Sequence, residues 1–442
     1  MVDRRVREIL VGGNVYGAGN IGDDAILAGC AGLIERELGD VRLTVETLRG
    51  DPLEGLNRPA GFVSAYDEQQ VDEALRRCDC FVAGGGTLIG EELGLYFPLK
   101  HLALRVATAK SYGKPVILMG IGANAVGSAE GRRLAGVSLA LADLVILRDE
   151  PSRRVCADLG DGGGKLVTAA DPAFLLKPVS TARSETAKTW IRSHGRCVGI
   201  NVVNEAWTND MSYKRAMAAA GDEICARHGV FPVFFQNEVR PGAEFDREAN
   251  VATARLMRHP FAVLDPTYFT PGEMIDVLSA FDAVAAMRMH ALIFAALAGT
   301  PFAAISRIDK VDNLMQLFGR RVSGRVGFAD RSALVSDLDD VLQNREAVGR
   351  QVASRALELR RTARSAGQGV RKTLGSGRSY RRRVTRESLG LVRIVRHGSM
   401  QSYRHELLKV LHGNVSTRQA ARRVWGKLRR YTTARHAHLE LV

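Results

Sequence analysis

The stretch DAVAAMRMHALIFAALAGTPFAAISRIDKVDN at residues 282–313 organises this 442-residue sequence. An apolar run ends at Met287, and a helical pattern begins at His290. The helical pattern ends at Gly299-Thr300-Pro301, and a second apolar run begins at Phe302. This order predicts a strand, a helix and a second strand.

Two cationic side chains, Arg288 and His290, lie where the first predicted strand passes into the helix. Free backbone N–H groups and the positive helix end collect anions at such turns, and charged side chains add strong donors. Lys310, after the second strand, supplies a third cation. A structural role for His290 at the helix start is the alternative; the nearby cations favour an anionic substrate.

Similar short apolar runs recur along most of the chain. In the first half they occupy 6–12, 41–48, 78–83, 115–119 and 144–147, and in the second half 197–203, 230–235, 261–264, 283–287 and 302–306. They lack polar alternation, which is typical of parallel strands buried on both faces. We therefore predict two doubly wound α/β domains facing a cleft, at 1–177 and 197–345, joined by a linker at 178–196.

The formal charge of +14 is unevenly distributed. Residues 350–442 carry 23 Lys and Arg against 4 Asp and Glu, whereas residues 1–349 carry 39 against 44. The body is mildly acidic, so its composition gives no nucleic-acid signal. We assign 346–442 to a basic tail, partly helical or disordered, in which the Gly and Ser residues around Gly367 and Gly375 predict a flexible linker.

Near the end of the tail, Ala421, Val424, Trp425 and Leu428 fall at helical spacing among arginines and lysines. A basic amphipathic helix with Trp suits an anionic membrane surface. A solvated or partner-bound tail is an equal alternative, and RNA binding ranks third.

The six cysteines are scattered without zinc-type spacing, which predicts buried reduced thiols and no metal site. The N-terminus has no apolar signal segment, and no uncharged apolar run is long enough to span a membrane. We expect a cytoplasmic protein, with contact at the inner membrane face if the tail binds lipid. The sequence does not define an oligomeric state.

The turn after the first strand contains a formal G-x-G-x-x-G at Gly17, Gly19 and Gly22, with Glu46 placed to bind a ribose hydroxyl. Asp23 and Asp24 open the following helix and would repel a diphosphate, so we disfavour a dinucleotide site. Asp23 is either part of a helix cap or a base facing a sugar hydroxyl.

Two further turns contain candidate residues. Gly84, Gly85 and Gly86 follow the third run and allow close backbone approach for either packing or binding. Glu91, just beyond them, is a candidate acid or base. Arg148 ends a strand and points to the predicted cleft, with a salt bridge to Asp149 or a neighbouring carboxylate as the alternative.

Over most of residues 8–320 the chain resembles the polysaccharide pyruvyl transferase family. The resemblance rests on the order and spacing of several motifs: 19–26 (GNIGDDAI), 84–88 (GGGTL), 120–122 (GIG), 148–152 (RDEPS), 170–174 (ADPAF) and 288–295 (RMHALIFA), followed by Lys310. The chain departs from the family pattern at Asp23-Asp24, where Asp-Glu is general, at Glu91, where Asp is general, and at Asn201, where Arg is frequent.

The resemblance implies two Rossmann-like domains of GT-B type and transfer of pyruvate from phosphoenolpyruvate to a sugar as a ketal. Phosphoenolpyruvate would be a co-substrate, with no other cofactor and no metal. Arg288, Arg148 and Lys310 would hold its phosphate and carboxylate. His290 would donate a proton, and Asp23 or Glu91 would accept the sugar proton.

The substrate contacts implied by the resemblance also include Asn20 and Gly22, together with Gly85 and Gly86. The acceptor would be a cell-surface polysaccharide or a lipid-linked saccharide. Two alternatives remain open: a GT-B-type glycosyltransferase that uses a nucleotide sugar, and a non-catalytic protein that binds saccharides or anions.

Overall fold

The computed structural model describes residues 6–375, except 57–60, 91–97, 161–164, 206–209 and 241–244. Glu91 and the amphipathic pattern around Trp425 lie outside the described residues. No described helix combines the length and apolar composition needed to cross a bilayer.

The first half of the chain forms a seven-stranded sheet in which every neighbouring pair is parallel. Its strands are β1 (Glu8–Tyr16), β2 (Arg42–Thr47), β3 (Gly61–Ser64), β4 (Cys80–Ile89), β5 (Val116–Ala123), β6 (Leu144–Leu147) and β7 (Leu166–Thr168). Their order is β3-β2-β1-β4-β5-β6-β7. The doubly wound pattern is therefore confirmed for this half.

Helices cover both faces of this sheet, which explains why its central strands lack polar alternation. They are α1 (Ile21–Leu38), α2 (Glu68–Arg77), α3 (Pro98–Ser111), α4 (Ala129–Leu141) and α5 (Glu150–Asp158). A short 3-10 helix, Pro172–Leu175, follows β7. The side chains of α2, α3, α4 and α5 pack in one core, and α1 packs in the core on the opposite face.

The triple glycine corrects one prediction. Gly84, Gly85 and Gly86 lie inside β4, whereas the sequence placed them in a turn after it. A Cβ at Gly85 would lie 1.9 Å from the side chain of Ile26 on α1, so the strand continues where only glycine fits against the helix.

The second half forms another seven-stranded sheet, which is parallel except for its last pair. Its strands are β8 (Cys197–Asn201), β9 (Phe231–Phe234), β10 (Ala262–Val263), β11 (Ala283–Ala286), β12 (Phe302–Ser306), β13 (Gly324–Arg325) and β14 (Phe328–Ala329). The order is β10-β9-β8-β11-β12-β13-β14.

The helices of this half are α6 (Ala182–Arg192), α7 (Ser212–His228), α8 (Asp246–Ala254), α9 (Pro271–Leu278), α10 (Met289–Ala298), α11 (Asp309–Leu317), α12 (Arg331–Gln343) and α13 (Arg345–Gly375). Helix α6 lies within the predicted linker and is tied to α9 by a 2.9 Å bond from Lys188 to Asp276. Helix α10 ends at Gly299 in the left-handed conformation, so the strand, helix and strand predicted for residues 282–313 are all present.

The long helix α13 corrects the prediction of a flexible segment around Gly367. Val352 and Leu359 pack in the core of the second half, while Ala366 and Val370 pack in the core of the first half. Gly367 is a buried helical residue against Glu37 of α1. The chain therefore belongs to the folded body as far as the end of α13.

The two sheets meet through segments that follow their strands. The Ile21 N–H donates to the Asn237 carbonyl at 3.1 Å, and the Val239 N–H donates to the Gly19 carbonyl at 2.9 Å. The Tyr268 hydroxyl donates to Asp24 at 2.8 Å. These bonds close one side of a cleft at the carboxyl ends of the central strands.

Candidate active site

The site begins at Arg148, at the end of β6. Its guanidinium lies flat over Gly122 of β5, where a Cβ would approach it to 2.5 Å. Arg148 donates to the Thr87 hydroxyl of β4 at 3.1 Å and lies 3.5 Å from the Asp149 carboxylate. The salt bridge weighed from the sequence is therefore present, and three neighbouring strands hold the arginine in place.

Asp171 joins Arg148 to His290 across the cleft. Its Oδ2 lies 3.8 Å from Nη1 of Arg148 and 3.8 Å from Nε2 of His290, too long for hydrogen bonds but close enough for charge contacts. Nε of Arg148, Oδ2 of Asp171 and Nε2 of His290 are all buried without a hydrogen-bond partner among the described residues. Such groups need an explanation, and a substrate is one.

The charges of Arg148 and His290 affect the pKa of Asp171. Burial alone would raise the pKa of Asp171, but the contact with His290 and the charge of Arg148 hold it below its ordinary value. Asp171 is therefore ionised at neutral pH and can orient the His290 ring.

His290 lies in the first turn of α10, facing the first turn of α1. A Cβ on Gly22 would lie 2.3 Å from Nδ1 of His290, so glycine is needed for the ring to occupy this position. Asn20 caps α1 by accepting from the Gly22 N–H at 3.0 Å. The positive ends of two helices thus converge beside an imidazole, an arrangement that favours an anion.

Arg288 lies at the predicted turn between β11 and α10 and pairs with two carboxylates. Its guanidinium donates to Asp246 at 2.7 and 2.9 Å and also pairs with Glu238, while Arg240 pairs with the other oxygen of Glu238. Asp246 further accepts from Asn201 at 2.9 Å. Two buried carboxylates balance the charge of Arg288, and its role as an anchor for the donor stays a prediction.

The acids that open α1 have different roles. Asp24 is buried, accepts from the Gly17 N–H at 2.8 Å and accepts from Tyr268. Burial raises the pKa of Asp24 to about 6, although both hydrogen bonds lower it. Asp23 is half-buried one residue earlier and is not the helix cap, since Asn20 has that role. Asp23 and Glu91 both stay candidates for the base that accepts the sugar proton.

Glu46 is unavailable to a ribose. It is fully buried, accepts from the Gly13 N–H at 3.1 Å and pairs with the buried Arg105 at 2.8 Å. Burial alone would raise the pKa of Glu46, but Arg105 and the contact with His101 bring it to about 2. The burial of Glu46 agrees with the sequence argument against a dinucleotide site.

The structure brings together Arg148, His290, Gly22 and Asn20. Gly85 and Gly86 serve packing, since a Cβ at Gly86 would lie 3.0 Å from Asn14. Lys310 lies half-buried in the first turn of α11, and its contact with the donor stays a prediction. Within the described residues, no three His, Cys, Asp or Glu side chains cluster as metal ligands.

Sequence reasoning did not select Asp171, Asp246 or Glu238 as site residues. Asp171 could have been found from the sequence, because it belongs to the motif at 170–174 on which the resemblance rests. In the structure it caps the 3-10 helix that follows β7. Asp246 and Glu238 follow β9 and are far from Arg288 in sequence, so only the fold shows that they pair.

The two parallel sheets facing a cleft define an α/β fold of GT-B type. Similar solved structures include Anabaena HepE in complex with UDP-glucose, with a TM-score of 0.56, 15% identity, and coverage of 84% of this chain and 99% of that chain. S. aureus MnaA in a co-structure with UDP has a TM-score of 0.54 and 9% identity, and the match covers 78% of this chain and 91% of that chain. UDP-GlcNAc 2-epimerase from Neisseria meningitidis, bound to UDP-GlcNAc, has a TM-score of 0.53 and 11% identity. The match covers 80% of this chain and 99% of that chain.

The family model for polysaccharide pyruvyl transferase matches residues 20–309. The chain belongs to the polysaccharide pyruvyl transferase family and is a transferase. A comparison with curated protein sequences found no match. At these identities the solved structures establish the fold alone.

Proposed function

We propose that the protein transfers the pyruvyl group of phosphoenolpyruvate to a saccharide as a ketal and releases inorganic phosphate. The observation that carries this proposal is a cluster of three buried side-chain atoms that lack a hydrogen-bond partner among the described residues. They belong to Arg148, Asp171 and His290 and lie beside the N-termini of α1 and α10. A trianionic donor fits a site with a guanidinium, an imidazole and two positive helix ends.

The reaction requires two sugar hydroxyl oxygens to bond to the enol carbon while its bond to the phosphate oxygen breaks. One hydroxyl proton is balanced by a proton added to the methylene carbon, which becomes a methyl group. The other is balanced by the proton gained by the departing phosphate. In this proposal His290 supplies one of these protons, and Asp23 or Glu91 accepts a proton from the sugar.

Arg148 supplies the fixed positive charge of the donor site, because three strands already hold it at the cleft. Arg288 pairs with Glu238 and with Asp246 of α8, and a contact between Arg288 and the donor stays a prediction. The acceptor is a saccharide, as a polysaccharide or in lipid-linked form, and two of its hydroxyl groups must reach the donor beside Arg148 and His290.

The test is incubation of purified protein with phosphoenolpyruvate and candidate saccharides, measuring phosphate release and the pyruvylated product. His290→Ala should lower turnover by about 10²–10⁴-fold, the usual value of a positioned acid or base. His259→Ala removes a histidine from a surface turn and should leave turnover unchanged. Near-normal turnover of His290→Ala would remove His290 from the mechanism.

A nucleotide sugar is the second candidate donor. Its support is that similar folds are those of proteins bound to UDP, UDP-glucose or UDP-GlcNAc. The same assay with UDP-sugars replacing phosphoenolpyruvate separates the two. Glycosyl product from a UDP-sugar, without phosphate release from phosphoenolpyruvate, would replace the proposed reaction with glycosyl transfer.

A further inference from the structure

A basic groove of about 510 Å³ lies far from the cleft, between the end of α1 and the last third of α13. Its cations are Arg36, Arg361, Arg364, Arg371 and Lys372, and Glu37 is its acid. On α13 the groove residues recur three and four positions apart, so they form one stripe along the helix. The intervening positions, including Ala366 and Val370, are buried in the core.

Most of this charge is uncompensated. Glu37 lies 2.9 Å from Arg371 and 3.7 Å from Arg36, and thus serves two cations. Arg361, Arg364 and Lys372 are exposed and have no ion pair with any residue in the described part of the chain. Exposed like charges held along one helix repel one another, and an anionic partner would relieve this repulsion.

The chain's own continuation cannot be that partner. Residues 376–442 carry 16 Lys and Arg against 3 Asp and Glu, so they share the sign of the groove. Their sequence also places Val424, Trp425 and Leu428 among basic residues at helical spacing. Apolar and aromatic residues alternating with cations match a lipid interface better than nucleic acid, which has no apolar layer to receive them.

We propose that the groove formed by α1 and α13 docks the protein on an anionic phospholipid surface, with phosphate head groups paired to Arg361, Arg364 and Lys372. The basic segment after Gly375 follows α13 in the sequence, and its positive charge would add to the attraction. Each Lys or Arg near such a surface contributes about 1 kcal/mol.

Docking at this groove would leave the candidate site open. Gly22 at the start of α1 faces His290, whereas Arg36 near its end lines the groove. At 1.5 Å per residue, the helix separates Gly22 from Arg36 by about 21 Å. Changes in the groove should therefore alter attachment without altering chemistry.

The test is co-sedimentation of the full chain with vesicles of phosphatidylglycerol and phosphatidylcholine, compared with vesicles of phosphatidylcholine alone. The unmodified protein should bind only the anionic vesicles, and added salt should weaken binding. The double variant Arg361→Gln, Arg364→Gln should partition roughly tenfold to thirtyfold less strongly.

A matched control is Arg133→Gln, Arg154→Gln, which removes two exposed arginines from α4 and α5. These helices pack on the opposite face of the sheet from α1 and α13, so binding should be retained. Thermal melting of both variants checks that each is folded.

Two results would overturn the proposal. One is equal vesicle binding by the groove variant and the control. The other is selective loss of binding to a single-stranded RNA oligonucleotide with vesicle binding intact, which would assign the groove to nucleic acid. Both measurements are independent of enzymatic turnover, so failure here is distinguishable from failure of the proposed reaction.

Discussion

Asp171 acts through His290. The carboxylate lies 3.8 Å from Nε2 of His290 and the same distance from Arg148, and it is held by the Ala173 N–H at 3.0 Å. A carboxylate held in this way can orient the His290 ring, so we assign Asp171 as a positioning residue.

Asp171→Asn should lower kcat by about tenfold to hundredfold, with little change in the KM for phosphoenolpyruvate, because orienting partners are worth about this much. Asp171→Glu should restore part of the lost rate. Asp222→Asn is the control, since Asp222 accepts backbone N–H groups at a surface turn. A raised KM with normal kcat would instead make Asp171 a substrate-binding residue.

Asp24 lies at the contact between the two halves, where Tyr268 donates to it, and its raised pKa makes the stability of the protein depend on pH. Burial raises its pKa from 3.8 to about 6 in the folded protein, so the folded state binds a proton more tightly than the unfolded state. The free energy of unfolding should therefore fall as pH rises from about 4 to about 6 and level off above that range.

Asp24→Asn should remove this slope and stabilise the protein at pH 8 by up to about 3 kcal/mol. The amide still accepts from the Gly17 N–H. Chemical unfolding at several pH values measures the effect, and Asp67→Asn, which changes a cap on exposed α2, should keep the original slope. An identical slope in Asp24→Asn would mean that other groups cause it.

At the scale of elements, fully buried strands were predictable from the sequence, whereas short strands at the sheet edges were not. The strands at Leu144–Leu147 and Phe302–Ser306 were predicted with the bounds observed, because each is fully buried between helices. Strands β3, β7, β13 and β14 were missed, since all four are short, partly exposed and at or next to a sheet edge. Their pairing depends on neighbouring strands, and local sequence has little signal for it.

The same distinction applies to the candidate site. The positions of Arg148 and His290 at strand ends follow from local sequence patterns, and their convergence follows from the parallel order of the strands. The pairing of Arg288 with Asp246 and Glu238 depends on how a distant loop folds back. A strand-end arginine therefore predicts a location, while the charge available to a ligand depends on tertiary contacts.

Helix α13 packs against the cores of both halves. Substitution of a buried and an exposed leucine on this helix tests how much that packing stabilises the fold. Leu359 is 5% exposed and packs in the core, whereas Leu357 on the same helix is 50% exposed. Leu359→Ala should lower the free energy of unfolding by about 2–5 kcal/mol, the usual cost of a buried cavity. Leu357→Ala should change it by less than about 0.5 kcal/mol.

Denaturant unfolding of both variants measures the difference. Equal effects of the two substitutions would show that α13 does not pack against the body in solution. A large effect of Leu359→Ala alone would support α13 as a structural element shared by both halves.

At the scale of the whole molecule, sequence composition identified the basic end of the chain but placed its start too early. The change in charge begins near Arg350, whereas packed residues continue through Leu374. Charge on the exposed face of α13 obscured the apolar spacing of its buried face. Only the two cores that it contacts show that α13 belongs to the body.

This boundary makes a truncation experiment possible. Ending the chain after Gly375 removes the basic segment but none of the packed residues of α13, so the fold and turnover on a soluble acceptor should be retained. Ending it after Asn344 removes α13, exposes both cores and should abolish cooperative unfolding.

Truncation after Gly375 should also weaken sedimentation with anionic vesicles, because 16 cationic side chains are lost. The remaining binding should depend on Arg361 and Arg364, since the groove stays in place. Sedimentation equal to that of the full chain would exclude the basic segment from membrane contact. Residual binding that is insensitive to the groove variant would show that the folded body attaches through another surface.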